Sequence, residues 1–168
     1  VVNGSISVPV SNMDAVAAYQ LLITPTSGTP TYQQTYEAEN ATVVNASRLS
    51  SSTASNGGYV GRIDGNGDAR TDSFVDFLVD VPTARSYTMT IKYANATGAT
   101  ATQGLASDGG AFSTVSYPPT TSGWGNPTGS VDVTVQLRAG YDVIRLAKGS
   151  PNYAGGTGYA ELDSIHLQ

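Results

Sequence analysis

Several short stretches of this chain alternate apolar and polar residues, and each ends at glycine, proline, asparagine or aspartate. Over Phe74–Val81 the residues Val75, Phe77, Val79 and Val81 share one parity, and Pro82 closes the run. Tyr87, Met89, Ile91 and Tyr93 alternate with Thr88, Thr90 and Lys92; Val131, Val133, Val135 and Leu137 alternate with Asp132, Thr134 and Gln136. A period of two is the mark of strands with one buried face. Further strands are predicted over Tyr141–Leu146, after the turn Arg138-Ala139-Gly140, and over Tyr159–Leu167. No capped apolar period of 3.6 residues occurs, so helix should be negligible. Short strands separated by turn residues predict an all-β antiparallel sandwich. Two glycine-rich connections, Ala94–Pro119 and Lys148–Gly158, are expected to interrupt it.

Upstream, Ser5–Val10 and Ala17–Ile23 are strand-like, and Thr24–Thr31 is rich in proline, threonine, serine and glycine. Three parts follow: residues 1–24 as the last strands of a preceding β-rich module, 25–34 as a linker, and 35–168 as the sandwich. A lone hairpin is marginal in water, so the first part must belong to another module or pack on the sandwich. Val1 is not expected to be the natural start of translation.

Composition narrows the chemistry. The net charge is −5, with eight scattered lysines and arginines, which argues against a nucleic-acid partner. No apolar run reaches the length of a membrane span. The chain has no cysteine, which excludes disulfides, thiolate nucleophiles and zinc–thiolate sites. Sequons at Asn3, Asn40, Asn45 and Asn95 favour a secreted, extracellular protein, although composition alone generates such triplets.

Two acidic clusters are the candidate chemistry. Glu37 and Glu39 lie two residues apart, which on a strand puts both carboxylates on one face. No lysine or arginine is near them in sequence. A hard cation such as Ca²⁺ relieves their repulsion with oxygen ligands in loose geometry. With Asp163 as third carboxylate, one ion would clip the first strand of the domain to the last. The competing reading is a solvated acidic patch. Asp64-Gly65-Asn66-Gly67-Asp68 lacks the bidentate glutamate of a calcium loop and reads as a turn.

Six motifs in this order carry a resemblance: Tyr36-Glu37-Ala38-Glu39-Asn40; Ser55–Gly61; Ser73–Val81; Gly123-Trp124; Leu137–Leu146; and Glu161-Leu162-Asp163-Ser164-Ile165. Residues 36–168 resemble a carbohydrate-binding module of family 35, close to family 6. The resemblance implies a non-catalytic jelly-roll sandwich that brings a covalently linked glycoside hydrolase to polysaccharide. It implies a structural Ca²⁺ on Glu37, Glu39 and Asp163, completed by a carbonyl near Ser55–Gly57. It places the sugar on an aromatic platform matched by Trp124, the only tryptophan, with a glycine on each side; an indole face suits the C–H face of a pyranose. Asn152, Tyr153 and Tyr59 are further candidates for the sugar. Trp124 could instead fold into the core, Asn152 could stabilise its own turn, and Tyr59 could be a core ring. Family 6 often carries asparagine where this chain has Glu161, which favours family 35. Known ligands of the family include galactans, galactose on mannans, mannan and uronic acids, the last in some members through a second Ca²⁺. The acidic net charge points to neutral, galactose-containing glycans, with galactan among the candidates. A monomer is expected.

Catalysis by the chain itself has little support. A glycosidase needs two carboxyls across a sugar, one with a raised pKa; of the acids to nominate, Glu37, Glu39 and Asp163 are better assigned to the ion, and Asp72 and Asp76 sit beside an ordinary strand. The sole histidine, His166, alternates into the last strand without an acid or nucleophile to partner it. A structural sandwich without sugar binding is the alternative reading.

Overall fold

In a computed structural model, residues 31–63 and 73–168 are described. The expected N-terminal strands, most of the linker and the Asp64–Asp68 turn lie outside them. Eleven strands fill the described part: β1 (Gln34–Glu37), β2 (Thr42–Val44), β3 (Ser47–Ser50), β4 (Gly58–Gly61), β5 (Ser73–Val81), β6 (Arg85–Ala94), β7 (Ala101–Ser107), β8 (Ser113–Tyr117), β9 (Gly129–Leu137), β10 (Gly140–Lys148) and β11 (Glu161–Leu167). Among the described residues helix is confined to two single 3₁₀ turns, Ala38–Asn40 and Ser55–Gly57.

The strands form two antiparallel sheets, one ordered β3-β4-β11-β6-β9 with β1 also on β11, the other β2-β5-β10-β7-β8. The alternation predicted for β5 holds: Val75, Phe77, Val79 and Val81 are buried, whereas Leu78 and Asp80 face solvent. They meet Tyr87, Met89, Ile91 and Ile165 of the facing sheet in one apolar core. Such burial contributes roughly 1.5–3 kcal/mol per large side chain.

One expectation is corrected. Ala94–Pro119, read as a long connection, contains β7 and β8. Their inward positions are Ala101, Gln103 and Leu105 on one strand and Val115 and Tyr117 on the other. A buried glutamine and an alanine blur the apolar alternation, so the period-two signal falls below notice. Gln103 is held inside by a hydrogen bond from the Tyr117 hydroxyl to its Oε1 (3.1 Å).

β11 positions the site. Its edge is shared by two strands in succession: β4 pairs it at Leu162, and β1 pairs it over Ser164–Leu167. The register on its other side shifts between Leu162 and Ser164. Asp163 therefore stands at the seam where the end of β1 meets the start of β4.

Candidate functional site

At that seam the three predicted carboxylates come together around one loop, residues 51–57 between β3 and β4. The Ser55 hydroxyl donates to Glu37 Oε2 (2.5 Å) and Asp163 Oδ2 (2.9 Å), and the Ser55 N–H donates to Asp163 Oδ1 (2.8 Å). Asn56 Nδ2 donates to Glu39 Oε1 (2.9 Å). Glu39 Oε2 is buried and accepts no hydrogen bond. Gly58 makes room for this side chain, since a Cβ there would stand 2.7 Å from Glu39 Cγ and Cδ.

The charge of the cluster is not balanced by a base. Among the described residues no Lys or Arg side chain pairs with these acids; Arg48 donates to the backbone carbonyls of Glu39 and Ala41 instead. Burial pushes the Glu37 carboxyl up, the Ser55 hydrogen bond opposes this, and the Glu39 and Asp163 charges push it further. Asp163 is raised likewise, first by burial and then, against two Ser55 hydrogen bonds, by Glu39. Among the described residues no three acids or histidines are grouped so that they could hold a metal ion as they stand. The arrangement is looser: two carboxylates bridged by a serine hydroxyl and a third alongside with a partnerless oxygen. Hard oxygen donors, unbalanced negative charge and a buried orphan acceptor fit a hard divalent cation. Ser55 meets the acids as a donor, while the Ser55 and Gly57 carbonyls accept from Gly58 and Ser51 within the loop.

Beside the seam a cleft of about 730 Å³ opens between Tyr59, Trp124, Tyr159 and Glu161, with Leu49, Ile63 and Arg62 also lining it. Trp124 is 48 % exposed, so its indole is not interred in the core. It sits in the turn Gly123–Asn126, closed by Asn126 N–H to the Gly123 carbonyl (3.3 Å). Gly125 follows it at φ +72°, where a side chain would be strained and would meet the Tyr59 hydroxyl at 3.1 Å. Glu161 Oε2 accepts from the Gly125 N–H (2.6 Å), and its other oxygen would lie 3.0 Å from a Cβ on Gly61. Burial raises the Glu161 carboxyl, and the Gly125 hydrogen bond only partly offsets this. The Tyr59 hydroxyl is raised too, by burial and then by Glu161, with Arg62 opposing. Tyr159 is 43 % exposed; the Lys148 ammonium lies 4.6 Å from its ring centroid and also donates to the Gly158 carbonyl.

Tyr59 and Trp124 thus share one cleft, and Asn152 and Tyr153 stand elsewhere. Asn152 Oδ1 accepts from Arg145 Nη1 (2.9 Å), and the same guanidinium pairs with Asp76 and lies 3.8 Å from the Phe74 ring centroid. Tyr153 packs on Phe112 over Gly104, where a Cβ would come within 2.3 Å of the ring, and its hydroxyl bonds Thr114. Both lie in the loop after β10 and contact residues of the sheet β2-β5-β10-β7-β8, Asn152 through Arg145 and Tyr153 through Gly104. Tyr159 and Glu161 line the cleft with Tyr59 and Trp124. Glu161 was legible as a member, because it precedes Asp163 by two on one strand. Tyr159 had no signal beyond opening the last apolar run. His166 bonds Thr35 Oγ1 through Nδ1 (2.9 Å).

An exposed indole and tyrosines around a carboxylate in an open cleft suit a pyranose, which offers apolar C–H faces and hydroxyl edges. Comparisons with known proteins give the family. The profile of the family "Carbohydrate binding module (family 35)" matches residues 34–168. The chain belongs to carbohydrate-binding module family 35. Similar to it is a family 35 module from Clostridium thermocellum, 30 % identical with a TM-score of 0.67, covering 80 % of this chain and 97 % of that one. An exo-β-1,3-galactanase of Phanerochaete chrysosporium, solved with galactose, is 27 % identical with a TM-score of 0.65, covering 82 % of this chain and 29 % of that one. A cycloisomaltooligosaccharide glucanotransferase of Niallia circulans is 32 % identical over 132 residues, which are 79 % of this chain and 13 % of the enzyme. The family 35 module is a non-catalytic carbohydrate-binding unit, and in such enzymes it is an appended domain.

Proposed function

We propose that the module grips a neutral glycan in the Trp124 cleft and carries a Ca²⁺ on Glu37, Glu39 and Asp163, as the extracellular targeting domain of a glycoside hydrolase or related glycan-active enzyme. The observation that carries the reading is the half-exposed indole of Trp124, lifted by a glycine-flanked turn beside Tyr59, Tyr159 and Glu161. Its face stacks on a sugar ring, while the Glu161 carboxylate accepts from sugar hydroxyls. That carboxylate also disfavours uronic acids by like-charge repulsion in a partly buried setting, so the ligand class is neutral. Within that class the sequence favours galactose-containing glycans, which the likeness to the galactanase supports; the likeness to the glucanotransferase supports isomalto-type gluco-oligosaccharides equally. Both belong in the first panel of ligands.

The cation supplies charge neutralisation at the seam of β1, β4 and β11. The chain's own part is to hold three carboxylates there, with Ser55 and Asn56 keeping their orientation. An affinity gel containing neutral polysaccharide tests the reading. The wild-type chain should be retarded and Trp124→Ala should run free with an unchanged melting temperature. Equal retardation of both would overturn the Trp124 cleft as the binding site, and no retardation of either would leave a sandwich that only supports its neighbours.

A further inference from the structure

The cleft and the acidic seam share a physical link. Gly125, next to the indole, is held on both sides: its N–H by Glu161 Oε2 (2.6 Å) and its carbonyl by Thr53 Oγ1 (2.9 Å). Thr53 belongs to the same loop as Ser55 and Asn56, whose polar atoms hold Glu37, Glu39 and Asp163. That loop is tied across itself. Ser51 N–H donates to the Gly57 carbonyl (3.1 Å), Ala54 N–H to the Ser51 carbonyl (3.3 Å), and the Ser51 hydroxyl bonds Thr53 Oγ1 (2.9 Å). A segment closed in this way moves as a unit, so a shift of Ser55 at the seam carries Thr53 with it.

We propose that Thr53 is a positioning residue that couples the cation site to the indole platform: charge neutralisation at Glu37, Glu39 and Asp163 sets the 51–57 loop, and Thr53 transmits that setting to the Trp124 turn. The idea rests on the cation reading above and not on the identity of the sugar. The direct hydrogen bond is the only contact assigned this role, and Thr53 is itself exposed, so its hydroxyl can be removed without opening the core.

Because Trp124 is the only tryptophan, its emission reports the platform without any sugar. The chelator-treated full chain is titrated with Ca²⁺ while melting temperature and Trp124 emission are followed in parallel. In the wild type both should change with one midpoint concentration. Thr53→Val should keep the rise in melting temperature and lose most of the emission change, and Thr53→Ser should restore it. A calcium-dependent melting temperature with a silent indole in the wild type overturns the coupling alone, as does a Thr53→Val response equal to wild type. A melting temperature indifferent to Ca²⁺ overturns the cation reading and the coupling with it.

Discussion

Trp124 owes its exposure to its neighbours rather than to itself. An indole is a large apolar group that burial would favour by a few kcal/mol. It stays at the surface because Gly123-Trp124-Gly125-Asn126 forms a closed turn with Gly125 at φ +72°, and because Glu161 and Thr53 take the polar atoms of Gly125. A group that stays half-exposed in that position can be removed at little cost to the fold. Trp124→Ala should therefore leave the melting temperature within a degree or two. A stacking contact contributes about 1 kcal/mol beyond area, so the Kd for a bound oligosaccharide should rise about fivefold or more. Calorimetric titration of both proteins checks the pair of statements; a large loss of stability would mean the ring is a packing element.

At the scale of elements, the seam of β1, β4 and β11 concentrates constraint. Gly58, the first residue of β4, lies against Glu39, and a Cβ there would press on the Glu39 side chain at 2.7 Å. Gly58→Ala should displace that carboxylate and cut the calcium-induced rise in melting temperature by half or more while the strands persist in circular dichroism. An undiminished rise would remove Glu39 from the ligand set. The same elements show how far sequence could be read. The strands with strong alternation, β5 and β6, stood out because their buried residues are large and apolar. The pair β7 and β8 did not, since Gln103 and Ala101 occupy core positions and glycine at 104 exists to seat Tyr153. Glu37, Glu39 and Asp163 were legible because like charges without a basic neighbour demand an explanation. Their grouping through Ser55 was not, because no spacing rule places a loop serine between two strand ends. Asn152 and Tyr153 were nominated together with Trp124 and Tyr59, yet their loop packs on the other sheet and does not line the Trp124 cleft, a fact of topology that local sequence does not carry.

For the whole molecule, electrostatics links the seam to stability. Burial, and then mutual repulsion, hold the Glu37 and Asp163 carboxyls above their ordinary values; burial does the same to Glu161. A carboxyl raised by folding contributes stability that is complete below its unfolded value, near about pH 4, and is lost as pH rises through the higher folded value. These groups should thus make the chelator-treated chain less stable between mildly acidic and neutral pH. A cation binds the deprotonated carboxylates and stabilises only the folded state. The difference in melting temperature with and without Ca²⁺ should consequently grow as pH is raised from about 4 to 7. Differential scanning calorimetry in matched buffers measures it, and a difference that shrinks or stays at zero over that range would contradict a cation at these acids.

The proposal made for the cleft of Trp124, Tyr59, Tyr159 and Glu161, that it receives a neutral sugar, is open to a direct optical test. The emission of the single tryptophan during titration with neutral galacto- and isomalto-oligosaccharides, in the presence of calcium, reads that cleft directly. A saturable change with at least one of them, and none with a uronic-acid oligomer, is the predicted result. Flat titrations with every neutral oligosaccharide, or saturation by the uronic-acid oligomer alone, would contradict it.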